Sequence, residues 1–407
     1  MKNTPNRRRR SLTHVGGAVE TEGDRPDADH LARALAVSPA TDSDDDPARG
    51  HVHGFHTYPA RMHPETAARL LTAFTPPGGA VLDPFCGSGT VLVEALVAGR
   101  PALGTDLNPL AVLLAQCKTR PRSANELAQL VGRARACAAH ADAGRRARAG
   151  ADCRFPPEDM ALFEPHVLLE LDALRSKIAA LGDDPDLGLV LSAILVKLSR
   201  KRGDTATNVR TRRTRPGFAA ELFVRKAEEL AQRLAAFGRL VPGPRDVFIA
   251  QDDATKLQSL RAGRVDAVVT SPPYAATYDY LEQHALRLRW LGLDEAPLAR
   301  GEIGSRAAYA RSNPRTARAT WAEELGRFLT AAGRVLRKGG PLVMVMADSA
   351  VGGVALRADE IAADVGRACG FVPAARASQP RPHFHGPTAN AFRDRPRAEH
   401  AILLRKA

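Results

Sequence analysis

Short apolar runs that end in a polar residue alternate with longer helical patterns along much of this chain. The first such region, residues 80–118, reads AVLD, PFCGSGT, VLVEALVAG, PALGTD and NPLAVLLAQCK. This order of strand, glycine-rich turn, helix, strand and helix is typical of βαβ units, which build a parallel sheet with crossover helices. The rhythm returns after residue 245 in the strand patterns VFIAQ, DAVVT and PLVMVMA. We therefore predict an α/β fold with a doubly wound, mostly parallel sheet.

Two stretches interrupt this rhythm. Residues 119–244 carry helical periodicity in MALFEPHVLLELDALRSKIAAL, LGLVLSAILVKLSRK and ELFVRKAEELAQRLAAFGRL, so we predict a mainly helical insertion there. Residues 1–48 contain RRRR and DSDDDP with little apolar periodicity, and we expect a disordered tail. The α/β domain itself would then comprise residues 49–118 and 245–407.

The composition narrows the class of partner. The chain has 407 residues and a formal net charge of +13, which favours a polyanionic partner such as nucleic acid, although abundant arginine also reflects overall composition. Its five cysteines have no paired spacing, which argues for reduced thiols in a cytoplasm and against a disulfide framework or a zinc site, so no metal is predicted. We find no apolar run of membrane-spanning length and no secretory signal pattern, so a cytoplasmic protein is expected.

The glycine-rich turn ends the first predicted strand at a carboxylate. In AVLDPFCGSGT, Asp83 ends the strand, and Gly87 and Gly89 permit the backbone to approach a ligand closely. The turn is neither GxGxxG nor a P-loop, and a carboxylate suits a ligand with amine or hydroxyl donors better than a phosphate. Asp106 ends the next strand, where an acidic residue commonly accepts hydrogen bonds from ribose hydroxyls. The alternative is that both aspartates only cap helices.

The second unusual stretch is DAVVTSPPYAATYDY. A buried strand cannot continue through two prolines, so the chain leaves the sheet at Ser271 in a rigid corner that displays a hydroxyl, backbone carbonyls and an aromatic ring. Taken alone, such a corner is an ordinary turn.

Together the two motifs resemble a known family. DPFCGSGT followed by TSPPY is similar to the amino-methyltransferases that modify exocyclic nitrogens of DNA bases with S-adenosyl-L-methionine. TYPARMHPE, GTDLNP and QDDATKL resemble further family segments, although Asp252 stands where the family usually has Gly. The resemblance covers roughly residues 51–118 and 245–406. It implies a Rossmann-like methyltransferase fold, S-adenosyl-L-methionine as cofactor and DNA as partner, and it leaves open a cognate restriction endonuclease encoded elsewhere.

The resemblance also assigns residues to the cofactor. Those implied to bind it are Tyr58, Pro59, Ala60, Asp83, Pro84, Phe85, Gly87, Ser88, Gly89, Thr90, Asp106 and Asp253. Asp106 would hold the ribose and Asp253 would lie beside the adenine.

The catalytic residues implied are Ser271, Pro272, Pro273 and Tyr274. The lone pair of an exocyclic amine is delocalised into the ring, so a site must favour pyramidal nitrogen and tolerate positive charge on it. The hydroxyl of Ser271 and the carbonyl of Pro272 would accept hydrogen bonds from the amine, and Tyr274 would stack on a base flipped out of the duplex.

The first residue of the tetrapeptide SPPY (residues 271–274) indicates which base is the target. Ser, preceded by Thr270, resembles the cytosine-N4 members, whereas Asp or Asn is usual in adenine-N6 members. Adenine N6, an RNA base, and a nucleic-acid binding protein without turnover remain alternatives.

Tyr278 and Tyr280 either line the base site or pack in the core. A Pro-Cys dipeptide is absent, and we interpret Cys86 as a packing residue.

The insertion is the best candidate for target recognition. Its segment KLSRKRGDTATNVRTRRTRPGF is dense in basic residues and could follow a phosphate backbone. The predicted nucleic-acid contacts are Lys201, Arg202, Arg210, Arg212 and Arg213. The alternative is a solvated surface loop.

Overall fold

The computed structural model describes residues 17–38, 49–59, 61–201, 209, 213–244, 246–381 and 386–407. The strands are β1 (Glu20–Gly23), β2 (Val81–Asp83), β3 (Ala102–Asp106), β4 (Val247–Gln251), β5 (Ala267–Thr270), β6 (Pro341–Ala347), β7 (Ser349–Val351), β8 (Val354–Leu356), β9 (Phe371–Pro380) and β10 (Ala398–Lys406). The helices are α1 (Arg25–Leu35), α2 (Pro64–Phe74), α3 (Thr90–Val97), α4 (Pro109–Thr119), α5 (Ala124–Ala147), α6 (Pro157–Leu162), α7 (Pro165–Ala180), α8 (Pro185–Leu198), α9 (Phe218–Leu240), α10 (Tyr280–Leu291), α11 (Ala296–Gly301), α12 (Arg306–Tyr309), α13 (Pro314–Val335) and α14 (Ala358–Ala368).

A single large sheet organises the fold. Over the described ranges it has eight strands in the order β1-β9-β10-β6-β5-β2-β3-β4. The run from β6 to β4 is parallel, and β10, β9 and β1 add antiparallel strands at one side. The chain goes from β2 outward to β3 and β4, then returns to β5 on the other side of β2. The carboxyl ends of β2 and β5 thus form a topological switch point, where open α/β sheets bind ligands. The predicted fold class is confirmed.

The helices at this edge begin where the sequence signals indicate. Helix α2 starts with Pro64, and the Nδ1 of His63 accepts a hydrogen bond from the backbone N–H of Glu65 at 3.2 Å. Helix α4 starts with Pro109, and the Oδ1 of Asn108 accepts from the N–H of Leu110 at 3.0 Å. Proline at the first helical position lacks a donor that would be unpaired there, and a capping side chain satisfies another.

The insertion packs on the α/β body, and its described part is mainly helical. Helices α5 to α9 follow α4 directly. Their buried residues, such as Leu171 and Phe223, belong to the same apolar cluster as Leu70, Val91 and Leu110 of the helices beside the sheet. Because a shared core fixes relative position, these helices are held at a defined place beside the sheet. In the part of the chain that is described, no helix combines the length and apolar character needed to cross a bilayer.

The prediction of a disordered tail over residues 1–48 is wrong for residues 17–38. Strand β1 pairs with β9, and α1 begins after Asp24, whose carboxylate accepts from the N–H of Asp27. Leu31 and Leu35 of α1 are fully buried. Two leucines four residues apart form one turn of an apolar stripe, and surrounding charged residues concealed this signal. Residues 1–16 and 39–48 lie outside the described residues.

Candidate active site

The ends of β2 and β5 are joined by a buried hydrogen bond. The Oγ1 of Thr270 donates to the Oδ1 of Asp83 at 2.6 Å, and the N–H of Phe85 donates to the same oxygen at 3.2 Å. Thr270 is fully buried and Asp83 is 3% exposed. Burial raises the pKa of Asp83 to about 7, against the opposing effect of these two donors. Asp83 therefore holds the glycine-rich turn next to the corner formed by residues 271–274, which we call the SPPY corner.

A cleft opens directly above this junction, at the carboxyl edge of the sheet. Its volume is about 680 Å³ including the open mouth. We call it the strand-end cleft. It is lined by Tyr58, Pro84, Phe85, Gly87, Asp106, Leu107, Asn108, Asp253, Ala254, Thr255, Ser271, Pro273, Tyr280, Leu298, Gly301, Glu302 and Ile303.

Asp106 contributes a carboxylate to the strand-end cleft. Its Oδ2 accepts from the N–H of Gly87 at 2.8 Å, and its Oδ1 accepts from the N–H of Asn108 at 2.9 Å. Burial raises the pKa of Asp106 to about 6, and these backbone donors partly offset the rise. Each oxygen keeps a further acceptor position, so the carboxylate can still accept hydrogen bonds from a ligand with hydroxyl groups.

The two glycines of the turn are required by their surroundings. Gly87 has φ +49°, and a Cβ there would approach the Tyr58 ring to 3.3 Å. Gly89 has φ +82°, and a Cβ there would lie 3.1 Å from Ala115 of α4. Both residues combine a left-handed backbone with close packing, which only glycine tolerates without strain.

Asp253 also lines the strand-end cleft. Its Oδ1 accepts from the N–H and Oγ1 of Thr255, and its Oδ2 pairs with Lys256 at 2.9 Å. Burial raises the pKa of Asp253, but these partners outweigh it and the pKa lies below its ordinary value. Asp252, which stands where the family usually has Gly, accepts from the N–H and Oγ of Ser259 and so closes the following turn.

A second cleft lies on the other side of the SPPY corner. We call it the tyrosine cleft, and its volume is about 600 Å³ including the open mouth. It is lined by Leu35, Val37, Arg61, Met62, His63, Thr66, Ser271, Pro272, Tyr274, Tyr278, Tyr280, Val345, Arg381 and Glu399. Inside it, the Tyr274 hydroxyl donates to the Oε1 of Glu399 at 3.4 Å and lies 3.5 Å from the Oγ of Ser271. Burial raises the pKa of Tyr274, so its phenol is neutral at physiological pH.

Ser271 and Tyr280 line both clefts. The two clefts therefore adjoin at the first residue of the SPPY corner. A ligand in the strand-end cleft and a ligand in the tyrosine cleft would face each other across Ser271.

The comparisons with known proteins concern the amino-terminal part of this site. A model of the DNA methylase family, which includes N6 and N4 enzymes, matches residues 29–116. Over 82 residues the chain is 39% identical to the Type II methyltransferase M.MvaI of Kocuria varians, a match that covers 19% of this chain and 18% of that protein. Residues 29–116 are therefore similar to the N4/N6 DNA methylase family. The matched segment begins inside α1 and includes the glycine-rich turn and Asp106.

Other similarities are weaker or shorter. The Type II methyltransferase M.MjaII of Methanocaldococcus jannaschii is 32% identical over 81 residues, which is 20% of this chain and 15% of that protein. The chain thus spans under a fifth of the length of either curated relative. Among solved structures, an rRNA methyltransferase of Streptomyces viridochromogenes overlaps 92% of this chain and 96% of its own, with 14% identity and a TM-score of 0.33. A methyltransferase of Methanosarcina mazei overlaps 83% and 96%, with 10% identity and a TM-score of 0.33.

Most residues predicted from the methylase motifs come together at the two clefts. Tyr58, Pro84, Phe85, Gly87, Asp106, Asp253, Ser271 and Pro273 line the strand-end cleft, and Pro272 and Tyr274 line the tyrosine cleft. Pro59, Asp83, Ser88, Gly89 and Thr90 are not among the residues that line either cleft. Ala60 lies outside the described residues.

Several cleft residues were not predicted. Asn108 follows Asp106 in GTDLNP, and its Nδ2 donates to the Tyr58 hydroxyl at 3.3 Å, so the motif itself could have indicated it. Glu302, Arg381 and Glu399 carry no motif. They reach the site only because the chain folds back to it, and the local sequence contains no signal for that.

The predicted basic contacts are only partly described. Lys201 pairs with Val209 in an isolated antiparallel bridge, and Arg213 is exposed. Arg202, Arg210 and Arg212 lie outside the described residues. Burial lowers the pKa of His284 to about 3, with Arg287 and Lys201 lowering it further, and His284 stacks on Tyr58 with ring centroids 4.6 Å apart.

Proposed function

We propose that this chain transfers a methyl group from S-adenosyl-L-methionine to the exocyclic amine of a base flipped out of DNA, with cytosine N4 as the target. The observation that carries the proposal is that Ser271 lines both the strand-end cleft and the tyrosine cleft. The family segment at residues 29–116 supports the same class of reaction.

The strand-end cleft suits S-adenosyl-L-methionine. Phe85, Leu107 and Ile303 offer apolar surface for a planar ring. Asp106 presents a carboxylate for the ribose hydroxyls, and the exposed Lys256 can release an oxygen of Asp253 for an adenine amine. When bound, this cofactor supplies an electrophilic methyl group on a sulfonium.

The SPPY corner would prepare the amine. The Oγ of Ser271 and the carbonyl oxygen of Pro272 are acceptors held by a rigid proline pair at the end of β5. Two acceptors on the amine hydrogens favour pyramidal nitrogen and stabilise the positive charge that develops on it. The ring of Tyr274, in the wall of the tyrosine cleft, would stack on the flipped base. After transfer, the amine loses a proton to water, because neither the Ser271 hydroxyl nor the Pro272 carbonyl is basic enough to keep it.

DNA would approach over the face that carries the basic segment. Of the predicted basic contacts in this segment, Lys201 and the exposed Arg213 are described, and both precede α9. Contacts from such residues to phosphates position a duplex without reading its sequence. The helical insertion is therefore our proposed target-recognition region, and a restriction endonuclease encoded elsewhere would be its partner in a restriction–modification pair.

Sequencing of DNA from host cells with and without the gene tests this function. Single-molecule sequencing reports the base, the atom and the motif together. We expect N4-methylcytosine at a fixed motif only when the gene is present. N6-methyladenine would overturn the base assignment, and an unmethylated genome with labelled RNA would overturn the DNA assignment.

A further inference from the structure

The tyrosine cleft contains a buried ion pair that none of the motifs includes. Arg381 directly follows β9, and Glu399 is the second residue of β10, which pairs with β9. The Nε and Nη2 of Arg381 both donate to the Oε2 of Glu399, at 3.0 and 2.8 Å. Arg381 is 4% exposed and Glu399 is 6% exposed. The pair therefore lies inside the cleft wall.

Within the described part of the chain, one nitrogen of this guanidinium has no hydrogen-bond partner. The buried Nη1 of Arg381 contacts no acceptor among the described residues. Because the guanidinium is planar and its other two nitrogens face Glu399, Nη1 is the nitrogen that remains for a ligand. A buried donor without an acceptor is costly, so its presence in a cleft wall indicates an acceptor that arrives with the ligand.

We propose that Nη1 of Arg381 donates to the ring N3 and carbonyl O2 of the target cytosine and thereby selects this base, with Glu399 as the residue that positions Arg381. This inference rests on the proposed function, since it names the group that reads the base in the same site. Glu399 also accepts from the hydroxyl of Tyr274, so the pair is linked to the SPPY corner.

The ligand atom that accepts from Nη1 of Arg381 is an uncharged one. A phosphate placed against Nη1 would lie in a buried site a few ångströms from the Glu399 carboxylate and would be repelled by it. A neutral ring nitrogen or carbonyl meets no such repulsion. Arg61, the other arginine of this cleft, already donates its Nη1 to the carbonyl of His53.

Cytosine fits this donor better than adenine. In cytosine, the amine is followed along one edge by two acceptors, N3 and O2. In adenine, the same edge has the acceptor N1 followed by a C–H group. A guanidinium nitrogen with two hydrogens can serve both acceptors of cytosine and only one of adenine.

The charge of the pair is compatible with the chemistry. A lone arginine beside the base would oppose the positive charge that develops on the amine during transfer. Glu399 neutralises Arg381, so the pair offers a hydrogen-bond donor with no net charge. This explains why the donor is held by a carboxylate inside the cleft.

The test couples a change in the protein to a change in the base. The substrate is a duplex that carries the motif found by sequencing, with the target cytosine either unchanged or replaced by 3-deazacytosine, which has a C–H in place of N3. The variants are Arg381→Lys and the double variant Arg381→Met/Glu399→Gln, which removes the donor at position 381 and leaves no unpaired buried charge. Arg327→Gln, an exposed residue of α13 paired with Glu323, is the control.

We expect the wild-type protein and Arg327→Gln to have kcat/KM about 10- to 100-fold lower on the analogue than on cytosine, the scale of a charge-assisted hydrogen bond. In the double variant the ratio of kcat/KM on cytosine to kcat/KM on the analogue should fall to about one, because the donor is gone. Arg381→Lys should retain part of the discrimination. Where turnover is too slow, the affinity of the protein loaded with S-adenosylhomocysteine for the two duplexes gives the same ratio. Unchanged affinity for S-adenosylhomocysteine itself verifies the fold of each variant.

Each outcome separates this inference from the proposed function. If the wild-type protein methylates no DNA, the proposed function fails, and the inference fails with it. If it methylates cytosine but the double variant keeps the full wild-type discrimination against 3-deazacytosine, only the inference is overturned. Equal loss of affinity for both duplexes, relieved at low salt, would indicate a phosphate contact and would also overturn it.

Discussion

Thr270 and Asp83, which are 187 positions apart in the sequence, share a hydrogen bond of 2.6 Å at the carboxyl edge of the sheet. Thr270 is the last residue of β5, and Asp83 is the last residue of β2. Since the glycine-rich turn follows one and the SPPY corner follows the other, this bond sets the distance between the two loops. The relative position of the two clefts depends on it.

Thr270→Val should loosen this junction. The substitution keeps the shape of the side chain but leaves the buried Asp83 carboxylate without its closest donor, so we expect a loss of about 1–3 kcal/mol in the free energy of unfolding at neutral pH. Thr270→Ser, which retains the hydroxyl, should lose less than half of that. Urea titrations of the three proteins measure the difference, and equal midpoints for Val and wild type would show that the bond contributes nothing.

Substitutions in the SPPY corner should separate turnover from cofactor binding. We expect Ser271→Ala and Tyr274→Ala to reduce the single-turnover rate of methyl transfer by about 100-fold or more, because each removes a group that acts on the base. Tyr274→Phe keeps the ring and should retain far more activity than Tyr274→Ala. Calorimetric affinity for S-adenosylhomocysteine should stay within a few-fold of wild type, and a large loss in both alanine variants would contradict the assigned roles.

Asp106 should make cofactor affinity depend on pH. Its pKa, raised by burial to about 6, means that the carboxylate becomes protonated as the pH falls below 6 and can then accept only one ribose hydroxyl effectively. We expect the affinity for S-adenosylhomocysteine to be about tenfold weaker at pH 5 than at pH 7. Asp106→Asn should bind weakly at both values, with no such dependence. A pH-independent wild-type affinity would argue against a role for Asp106 in binding.

Glu94 should make stability depend on pH. Burial raises the pKa of Glu94 from 4.5 to about 7, and its Oε1 lies 2.7 Å from the Nε2 of His53. Folding therefore favours the protonated acid. Its contribution is complete below pH 4.5 and is lost as the pH rises through 7, with an upper limit of about 3 kcal/mol. Glu94→Gln should flatten this part of the stability curve, measured by denaturant titration from pH 4.5 to 8; a curve that is unchanged would contradict the assignment.

The basic segment should contribute to DNA affinity through phosphates. We expect Lys201→Ala/Arg213→Ala to weaken binding to any duplex and to reduce the slope of log affinity against log salt by about 2, one for each contact. Arg264→Ala/Lys338→Ala is the matched control, because these exposed residues precede β5 and β6 at the opposite edge of the sheet. If both pairs changed the slope equally, the effect would reflect net charge alone.

The sequence predicts this sheet well because its strands and turns carry local signals. The Asp at the end of β2, the glycines before α3 and the prolines of α2 and α4 each determine local backbone geometry, and all of these elements form where expected. Helix α1 was missed because its apolar stripe occupies barely more than one turn, and its burial depends on β9 and β10, which come more than 300 residues later.

The candidate site is predicted only where a motif supplies its residues. Tyr58, Asp106 and Ser271 belong to recognisable segments and line the clefts. Arg381 and Glu399 meet because β9 and β10 pair antiparallel: Glu399 is the register partner of Gln379, and Arg381 lies two residues further along the same side, diagonal to Glu399. Such pairing depends on sheet register, which no short sequence window contains. The assignment of Asp83 to the cofactor stays a prediction; in the structure its Oδ1 accepts from Thr270 and Phe85.

Nucleoside mass spectrometry tests the central claim most directly. Purified protein would be incubated with DNA and S-adenosyl-L-methionine carrying an isotopically labelled methyl group, beside Ser271→Ala, and the DNA would be digested to nucleosides. We predict labelled N4-methylcytosine with the wild-type protein and at least a hundredfold less with the variant. Absence of label from every DNA nucleoside, or equal labelling by Ser271→Ala, would contradict the account of two clefts that meet at Ser271.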